Sequence, residues 1–195
     1  VDVLSRLLTF AGLAADTMTR THGWRLFDLG QRIERAWQTT LLMQSMLVDA
    51  ADEERPVLEA TLMVADSLMT YRSRYLATVQ VPPVLDLLVV DETNPRSIGY
   101  QLAMIEEHVA ELPRNKSLAE LSADQRIAIS LRNSVRLADV YELSRADGSG
   151  HRKVLDRLLR RLTDQLPQLS DAVSRKFLIH AGLPRHFASL PESRS

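Results

Sequence analysis

Apolar residues recur every three or four positions along almost the whole chain, and this spacing constrains the fold more than any other feature of the sequence. Such spacing places apolar side chains on one face of an α-helix, whereas a half-buried strand would show strict alternation. The long periodic segments end near prolines, of which the chain has eight, as expected for helices joined by short connections. The sequence therefore predicts an all-α protein, an antiparallel bundle of about six or seven helices with no sheet.

The first two helices are the clearest of these segments. One is expected to end near Thr21, and the next to run from about His22 to about Val48, a length of about 40 Å at 1.5 Å per residue. Such a helix is typical of a bundle. Its apolar seam is expected to contain Leu26, Leu29, Ile33, Trp37, Leu41, Gln44 and Leu47.

The middle of the chain has recognisable helix boundaries. One helix is expected over about 56–79, and a short helix over 84–90, for which a buried strand is the alternative. Asn94 followed by Pro95 predicts the start of a helix that runs to about Leu112. An asparagine side chain can cap the free amides there, and proline in the first turn loses no needed hydrogen bond.

Two further helices are expected in the last third of the chain. Ser122 is a suitable cap for a helix that continues to about Tyr141, and a final helix is expected over about 151–181. Pro167 lies inside this last helix and is a point at which it can bend.

The composition narrows the classes of function. A chain of 195 residues, 45% hydrophobic and 25% charged, can bury one substantial core, so we expect one helical domain over 1–181 and an irregular tail over 182–195. The formal charge of −1 provides no overall attraction to nucleic acid or to an anionic membrane. No run approaches the roughly 20 apolar residues that span a bilayer. The absence of cysteine excludes a thiolate nucleophile and favours a reducing cytoplasm as the location.

The pair Glu34-Arg35, in the segment HGWRLFDLGQRIERA, is the main candidate for chemistry. Glu34 shares a flank of its helix with apolar neighbours, so we expect its carboxylate to be partly buried and to need a cation. Arg72, on the inner stripe of its own helix, is preferred for this role over Arg96. Arg35 is expected to point about 100° away, toward solvent or a neighbouring subunit.

Two interpretations of these residues stay open. In the favoured one, Glu34, Arg72 and Arg96 form a buried ion-pair network that sets the helix register. In the other, they line a pocket in which Glu34 acts as a general acid or base, or in which a small anion or peptide binds. A neighbouring cationic and phenolic cluster would suit a phosphate or carboxylate, and it comprises Tyr71, Arg74 and Tyr75.

Other catalytic devices are missing from the sequence. It contains no nucleophilic-serine, P-loop or dinucleotide-binding motif. Its five histidines are scattered without metal-ligand spacing, so we expect no metal and no cofactor. The strongest basic stretch runs from His151 through Arg152 to Arg161 and is interrupted by Asp156. Nucleic-acid binding there is a second alternative, less favoured than a solvated helix face or a partner-docking surface.

Four short segments together resemble one known family. They are GWR at 23–25, GQRIERA at 30–36, YRSRY at 71–75 and TNPRS at 93–97. In this order they resemble the bacterial alpha-E family, an all-helical domain with an ER motif. Members of that family are about half as long again and usually carry an earlier copy of a similar motif. The chain, which starts at Val1 without methionine, is therefore expected to be the C-terminal two-thirds of such a domain, cut from a longer protein.

The resemblance also implies a functional context. The resemblance implies an accessory of a bacterial peptide-modification system. Such an accessory is found beside or fused to a circularly permuted ATP-grasp ligase and beside a transglutaminase-like protease. We therefore expect a non-catalytic helical module that scaffolds the ligase or presents a peptide, with the region of Glu34, Arg72 and Arg96 as its centre. An enzyme that uses Glu34 is the alternative.

Overall fold

The computed structural model describes residues 2–76, 78–113 and 120–178. No strand occurs in these residues, where Asp49 and His151 form an isolated bridge, so the prediction of an all-α fold is confirmed. A π-helix, Asp86–Val90, directly continues the fifth α-helix. The α-helices of the described residues are α1 (Asp2–Thr17), α2 (His22–Leu47), α3 (Glu54–Val64), α4 (Leu68–Tyr75), α5 (Val81–Leu85), α6 (Ile98–Glu111), α7 (Ala123–Arg136), α8 (Val140–Ser144) and α9 (Lys153–Phe177).

Four helices surround the main core. Helix α2 packs against α6 and α9, and α7 packs against the same two helices. Helix α9 continues through Pro167 to Phe177, so this proline does not end the helix. Each fully buried leucine of α9 stabilises the fold by about 1.5–3 kcal/mol. These leucines recur at a spacing of three or four and are Leu155, Leu159, Leu162, Leu166 and Leu169.

The helix predicted over 56–79 is divided in two. Asp66, between α3 and α4, has a φ of 50°, in the left-handed region that a right-handed helix cannot contain. The amide of Ser67 donates instead to the carbonyl of Leu62, at 2.8 Å. This break separates α3 from α4 and accounts for one of the additional helices.

The helix predicted to reach Tyr141 is also divided. Asp139 caps the short helix α8, because its carboxylate accepts hydrogen bonds from the amides of Tyr141 and Glu142 at 2.8 and 3.1 Å. At the start of α7 the predicted cap is confirmed, since Ser122 and Gln125 form a capping box. The helical interpretation of 84–90 is confirmed too, by α5 and the π-helix.

Helix α6 begins later than predicted. Its cap is Ser97, whose hydroxyl accepts a hydrogen bond from the amide of Tyr100 at 2.9 Å. Asn94 has a different role: its side-chain oxygen accepts from the amide of Arg96 at 3.1 Å, and its nitrogen donates to the carbonyl of Leu87 at 2.9 Å. Asn94 therefore closes a turn before α6 and attaches this turn to the π-helix, because its side chain bonds locally in a non-helical conformation.

Helix α1 makes few contacts with the other described helices. Ala14 is its buried residue, and the ring of Phe10 meets that of Phe27 edge-on with centroids 6.0 Å apart. Its large apolar side chains are 57–71% exposed and comprise Val3, Leu4, Leu7, Leu8, Phe10 and Leu13. The first predicted helix is therefore present, but most of its apolar stripe is uncovered.

Among the described residues, no helix combines the length and the apolar character needed to cross a membrane. The tail predicted over 182–195, and the end of the last helix expected near Ala181, lie outside the described residues.

Candidate functional site

Glu34 lies on the outer face of α2. The buried stripe of this helix passes through Ala36 and Thr40, and Glu34, two residues before Ala36, is about 200° away around the helix. Glu34 is exposed, and its carboxylate accepts a hydrogen bond from the side chain of Gln38 at 2.8 Å. The prediction that Glu34 is partly buried is therefore wrong. The buried stripe includes Ala36 and Thr40, a small and a polar residue, which a stripe drawn through large apolar residues leaves out.

The arginines expected to pair with Glu34 lie elsewhere. Arg72 is exposed on α4 and forms no ion pair with the described residues. Arg96 donates to Asp66 at 2.7 Å, with the two side chains 47% and 78% exposed. The predicted buried network of Glu34, Arg72 and Arg96 is therefore not formed. An enzyme mechanism that depends on this arrangement loses its geometric basis.

Two of the segments that carry the family resemblance contact each other. Arg74 donates to the carboxylate of Asp91 and to the hydroxyl of Thr93, the latter at 3.3 Å. Burial alone would raise the pKa of Asp91, but hydrogen bonds from Thr93 and Arg74 hold this pKa below its ordinary value. The cation expected to bind a phosphate or carboxylate ligand is thus engaged by a carboxylate of the protein itself.

The two tyrosines of the predicted cluster anchor the connection after α4. Tyr71 is fully buried, and its hydroxyl donates to the carbonyl of Thr78 at 3.3 Å and accepts from the amide of Gln80 at 3.2 Å. Tyr75 packs against Tyr71 with ring centroids 4.9 Å apart and donates to Asp86 at 2.5 Å. Burial, followed by this hydrogen bond, raises the pKa of Tyr75 to about 12. Both hydroxyls therefore have partners within the fold.

A polar cluster that sequence reasoning missed lies between α2 and α6. The Nε2 atom of His108, a residue 4% exposed, is 2.5 Å from the carboxylate of Asp28. Arg32 donates to the same carboxylate oxygen at 2.7 Å and to the side chain of Gln101 at 3.3 Å. The Trp24 ring meets the His108 ring edge-on at 5.4 Å. The cluster joins the segment around the ER pair to the helix that follows the TNPRS segment.

This cluster is well suited to holding two helices together. Burial alone would raise the pKa of Asp28, but hydrogen bonds from His108 and Arg32 hold this pKa below its ordinary value. The side chains of His108 and Asp28 are 6% and 15% exposed, which leaves little room for a substrate to reach them. The spacing of Asp28 and Arg32 predicts a pair on one helix face. Nothing in the sequence indicates that His108, 80 residues after Asp28, joins them.

An open groove of about 750 Å³ runs along the outer side of α2. Arg35 lines it from α2, and Arg96 and the end of α3 line it from the other side. Its apolar surface comes from Leu41, Leu42, Val64 and Ala65. The structure therefore brings two of the predicted site residues, Arg35 and Arg96, to one accessible concavity, although the sequence had not suggested that they meet.

The basic run from His151 to Arg161 is not a free cationic surface. Arg152 is 4% exposed and donates to the carboxylate of Glu54, and His151 lies 2.6 Å from Asp49. Lys153 and Arg160 form ion pairs with nearby aspartates. The exposed pairs of Lys153 and Arg160 are weak, but the buried Arg152 cannot reach a phosphate, so the structure does not favour the nucleic-acid alternative.

No group of three or more histidine, aspartate or glutamate side chains is placed to hold a metal ion in residues 2–76, 78–113 and 120–178.

Comparison with protein families tests the resemblance found in the sequence. The model of the Alpha-E family, described as "a predicted alpha-helical domain with a conserved ER motif", matches residues 1–178. The chain belongs to the Alpha-E family. The match covers nearly the whole chain but does not confirm that the chain is the C-terminal two-thirds of the family domain. That expectation stays a prediction.

This Alpha-E domain is similar to uncharacterized proteins of Mycobacterium bovis and of two strains of Mycobacterium tuberculosis. Each is 30% identical over 175 residues, which are 89% of this chain and 20% of the relative. The chain thus spans about a fifth of the length of these curated relatives. No solved structure matches the chain significantly.

The polar residues of this Alpha-E domain fall into an inner and an outer group. Asp28 and Arg32 face α6 and hold it through hydrogen bonds. Glu34 and Arg35 face away from the core, and Arg35 lines the groove. The ER pair itself therefore belongs to the accessible surface of the domain, whereas the residues just before it belong to its internal packing.

Proposed function

We propose that this Alpha-E domain is a non-catalytic accessory module that binds a protein partner in a bacterial peptide-modification system. The partner suggested by the family resemblance is an ATP-grasp-type ligase, fused or separate, which the module scaffolds or supplies with a peptide. The observation that carries the proposal is the open groove on the outer side of α2. Accessible grooves with apolar floors and polar rims are common docking sites for segments of other proteins.

The internal hydrogen bonds of the domain support a scaffolding role. Asp28 and Arg32 link α2 to α6, while Arg74 and Asp91 link α4 to the end of the π-helix. These charged groups are engaged with each other and are already used to hold helices in place. A surface supported by such links loses less conformational entropy on binding, which favours recognition.

The size of the relatives gives independent support. Because the matching region is 20% of the mycobacterial proteins, the domain is accompanied there by a much longer stretch of sequence. A module tethered to its partner in one chain experiences a high effective concentration of that partner. An accessory domain can therefore act through a groove of modest affinity.

The proposal is tested by adding the purified domain to an ATP-grasp ligase encoded with it. Binding is measured by isothermal titration calorimetry, and ligation is followed as phosphate release with a peptide acceptor. We expect a specific complex and a change in ligation rate that an unrelated helical domain of similar size does not produce. If the domain neither binds the ligase nor changes the rate of ligation, the accessory role is refuted.

A further inference from the structure

We infer that the groove between Arg35 and Arg96 binds an acidic, amphipathic helical segment of a protein partner. This inference rests on the proposed function and deepens it, since it names the surface that holds the partner and the chemistry that the partner presents. The charge, the apolar floor and the length of the groove each support it.

The charge of the groove selects an acidic ligand. Its lining includes two arginines and no carboxylate among the described residues, while the carboxylates of Glu34 and Asp66 lie at its edge, bonded to Gln38 and Arg96 of the lining. Arg35 is exposed and forms no ion pair with those residues. Arg96 pairs with Asp66, but both side chains are largely exposed, so water weakens this pair and a partner carboxylate can replace it at small cost. Two guanidinium groups are well suited to bidentate binding of carboxylates.

The floor of the groove requires more than a negative charge. Val64 is 69% exposed and Leu41 is 36% exposed, and Leu42 and Ala65 add to the apolar lining. A small anion would leave these side chains in water. A segment that carries apolar side chains beside its carboxylates would cover them and gain the free energy of removing apolar surface from water.

The length of the groove fits a helix. Its α2 side extends from Arg35 to Ser45, which corresponds to about 15 Å at 1.5 Å per residue. A partner helix of about three turns has the same length and presents apolar residues at i, i+3 or i+4, and i+7 along one face. Laid beside α2 and the end of α3, such a helix places its stripe on the floor and its flanking glutamates near the arginines.

The inference is tested with a fluorescein-labelled amphipathic peptide of about three helical turns, with a leucine stripe flanked by glutamates. A matched peptide carries lysines in place of the glutamates. Fluorescence anisotropy with the full chain should show binding of the glutamate peptide and roughly tenfold weaker binding of the lysine peptide. The double variant Arg35→Glu/Arg96→Glu should reverse this preference. Arg72→Glu, which changes an exposed arginine outside the groove lining, is the matched control and should leave both affinities unchanged.

Leu41→Asp should weaken binding of the glutamate peptide, because it places a charge on the apolar floor. Circular dichroism confirms that each variant stays helical. Equal binding of the two peptides, or unchanged affinity in the Arg35→Glu/Arg96→Glu variant, overturns the inference. Competition by inorganic phosphate with no effect of Leu41→Asp would indicate a site for small anions instead. A dimer of the chain that dissociates in the double variant would identify a second copy as the occupant, and would also overturn it.

The two proposals fail in different ways. If the double variant still binds the ligase as the unmodified chain does, the groove inference is refuted and the accessory function stands. If the unmodified chain binds the glutamate peptide but no ligase, the accessory function is refuted and the groove inference stands.

Discussion

Replacement of Arg152 with methionine tests the joint at which four helices meet. Arg152 directly precedes α9 and is 4% exposed. Its guanidinium donates to the carbonyl of Leu47 at the end of α2 at 2.9 Å, to the carbonyl of Ser144 at the end of α8 at 3.1 Å, and to the carboxylate of Glu54 at the start of α3. Methionine keeps the apolar stem of the side chain but donates no hydrogen bond.

The expected loss of stability follows from the exposure of these partners. Loss of a donor leaves the buried carbonyl of Leu47 unsatisfied, at a cost of about 1–2 kcal/mol, and the carbonyl of Ser144 adds about 1 kcal/mol. The side chain of Glu54 is 40% exposed, so its carboxylate stays hydrated and its share is at most about 1 kcal/mol. The sum is about 3 kcal/mol, which for a chain of 195 residues lowers the Tm by roughly 6–12 °C.

The assay is urea unfolding at neutral pH, followed by far-ultraviolet circular dichroism with the m-value compared between variants. Arg157→Met is the matched control, because Arg157 is an exposed residue of the same helix, and it should change the free energy of unfolding by less than about 0.5 kcal/mol. Glu54→Gln should cost at most about 1 kcal/mol. A loss below about 1 kcal/mol for Arg152→Met at an unchanged m-value would refute the reasoning.

Four other substitutions test packing and the dependence of stability on pH. Gly99→Ala should destabilise the domain by about 2 kcal/mol or more in urea unfolding, because its Cβ would lie 2.5 Å from the carbonyl oxygen of Val90. Gly30→Ala, which meets nothing within 4 Å inside α2, should stabilise it by about 0.5–1 kcal/mol. The lowered pKa of Asp28 contributes stability that is present above about pH 4 and lost as the pH falls through the folded-state value, so Asp28→Asn should flatten the acid side of the stability profile. Folding raises the pKa of the Tyr75 hydroxyl to about 12. The protonated hydroxyl therefore contributes stability that is present below about pH 10 and lost as the pH rises through about 12. Tyr75→Phe should remove this loss and the late step in tyrosinate absorbance.

Each of these predictions has a clear contrary outcome. Equal effects of the two glycine replacements would show that α6 does not approach the π-helix as closely as described. An acid profile that Asp28→Asn leaves unchanged would contradict the stabilised carboxylate. If Tyr75→Phe removed a step in tyrosinate absorbance near pH 10 and kept the late one, the Tyr75 hydroxyl would lie in solvent.

Local sequence signals predicted the helices well where the deciding interactions are local. Ser122 and Gln125 lie three residues apart, and their capping box at the start of α7 follows from that spacing. The breaks at Asp66 and Asp139 were missed, because apolar periodicity continues across both positions and does not report φ. Asn94 was predicted to cap α6, but its side chain closes a turn instead. The cap is Ser97, three residues later.

The candidate site shows where such reasoning fails. A difference of one or two residues in the assumed stripe of α2 rotates a side chain by about 100–200°, and this moved Glu34 from the predicted interior to the surface. The relevant stripe contains Ala36 and Thr40, whose burial depends on close approach of neighbouring helices rather than on their own hydrophobicity. A carboxylate assigned to the wrong face was then given the wrong partners, Arg72 and Arg96.

The sequence by itself determined the helical class of this Alpha-E domain and the family to which it belongs. Those properties depend on residue spacing within single helices and on the order of short segments. Tertiary structure decided that Asp28 meets His108, that Arg74 meets Asp91, and that Arg35 and Arg96 share one groove. These pairings join residues far apart in the chain, and they depend on how helices rotate and pack against each other to bury a common core.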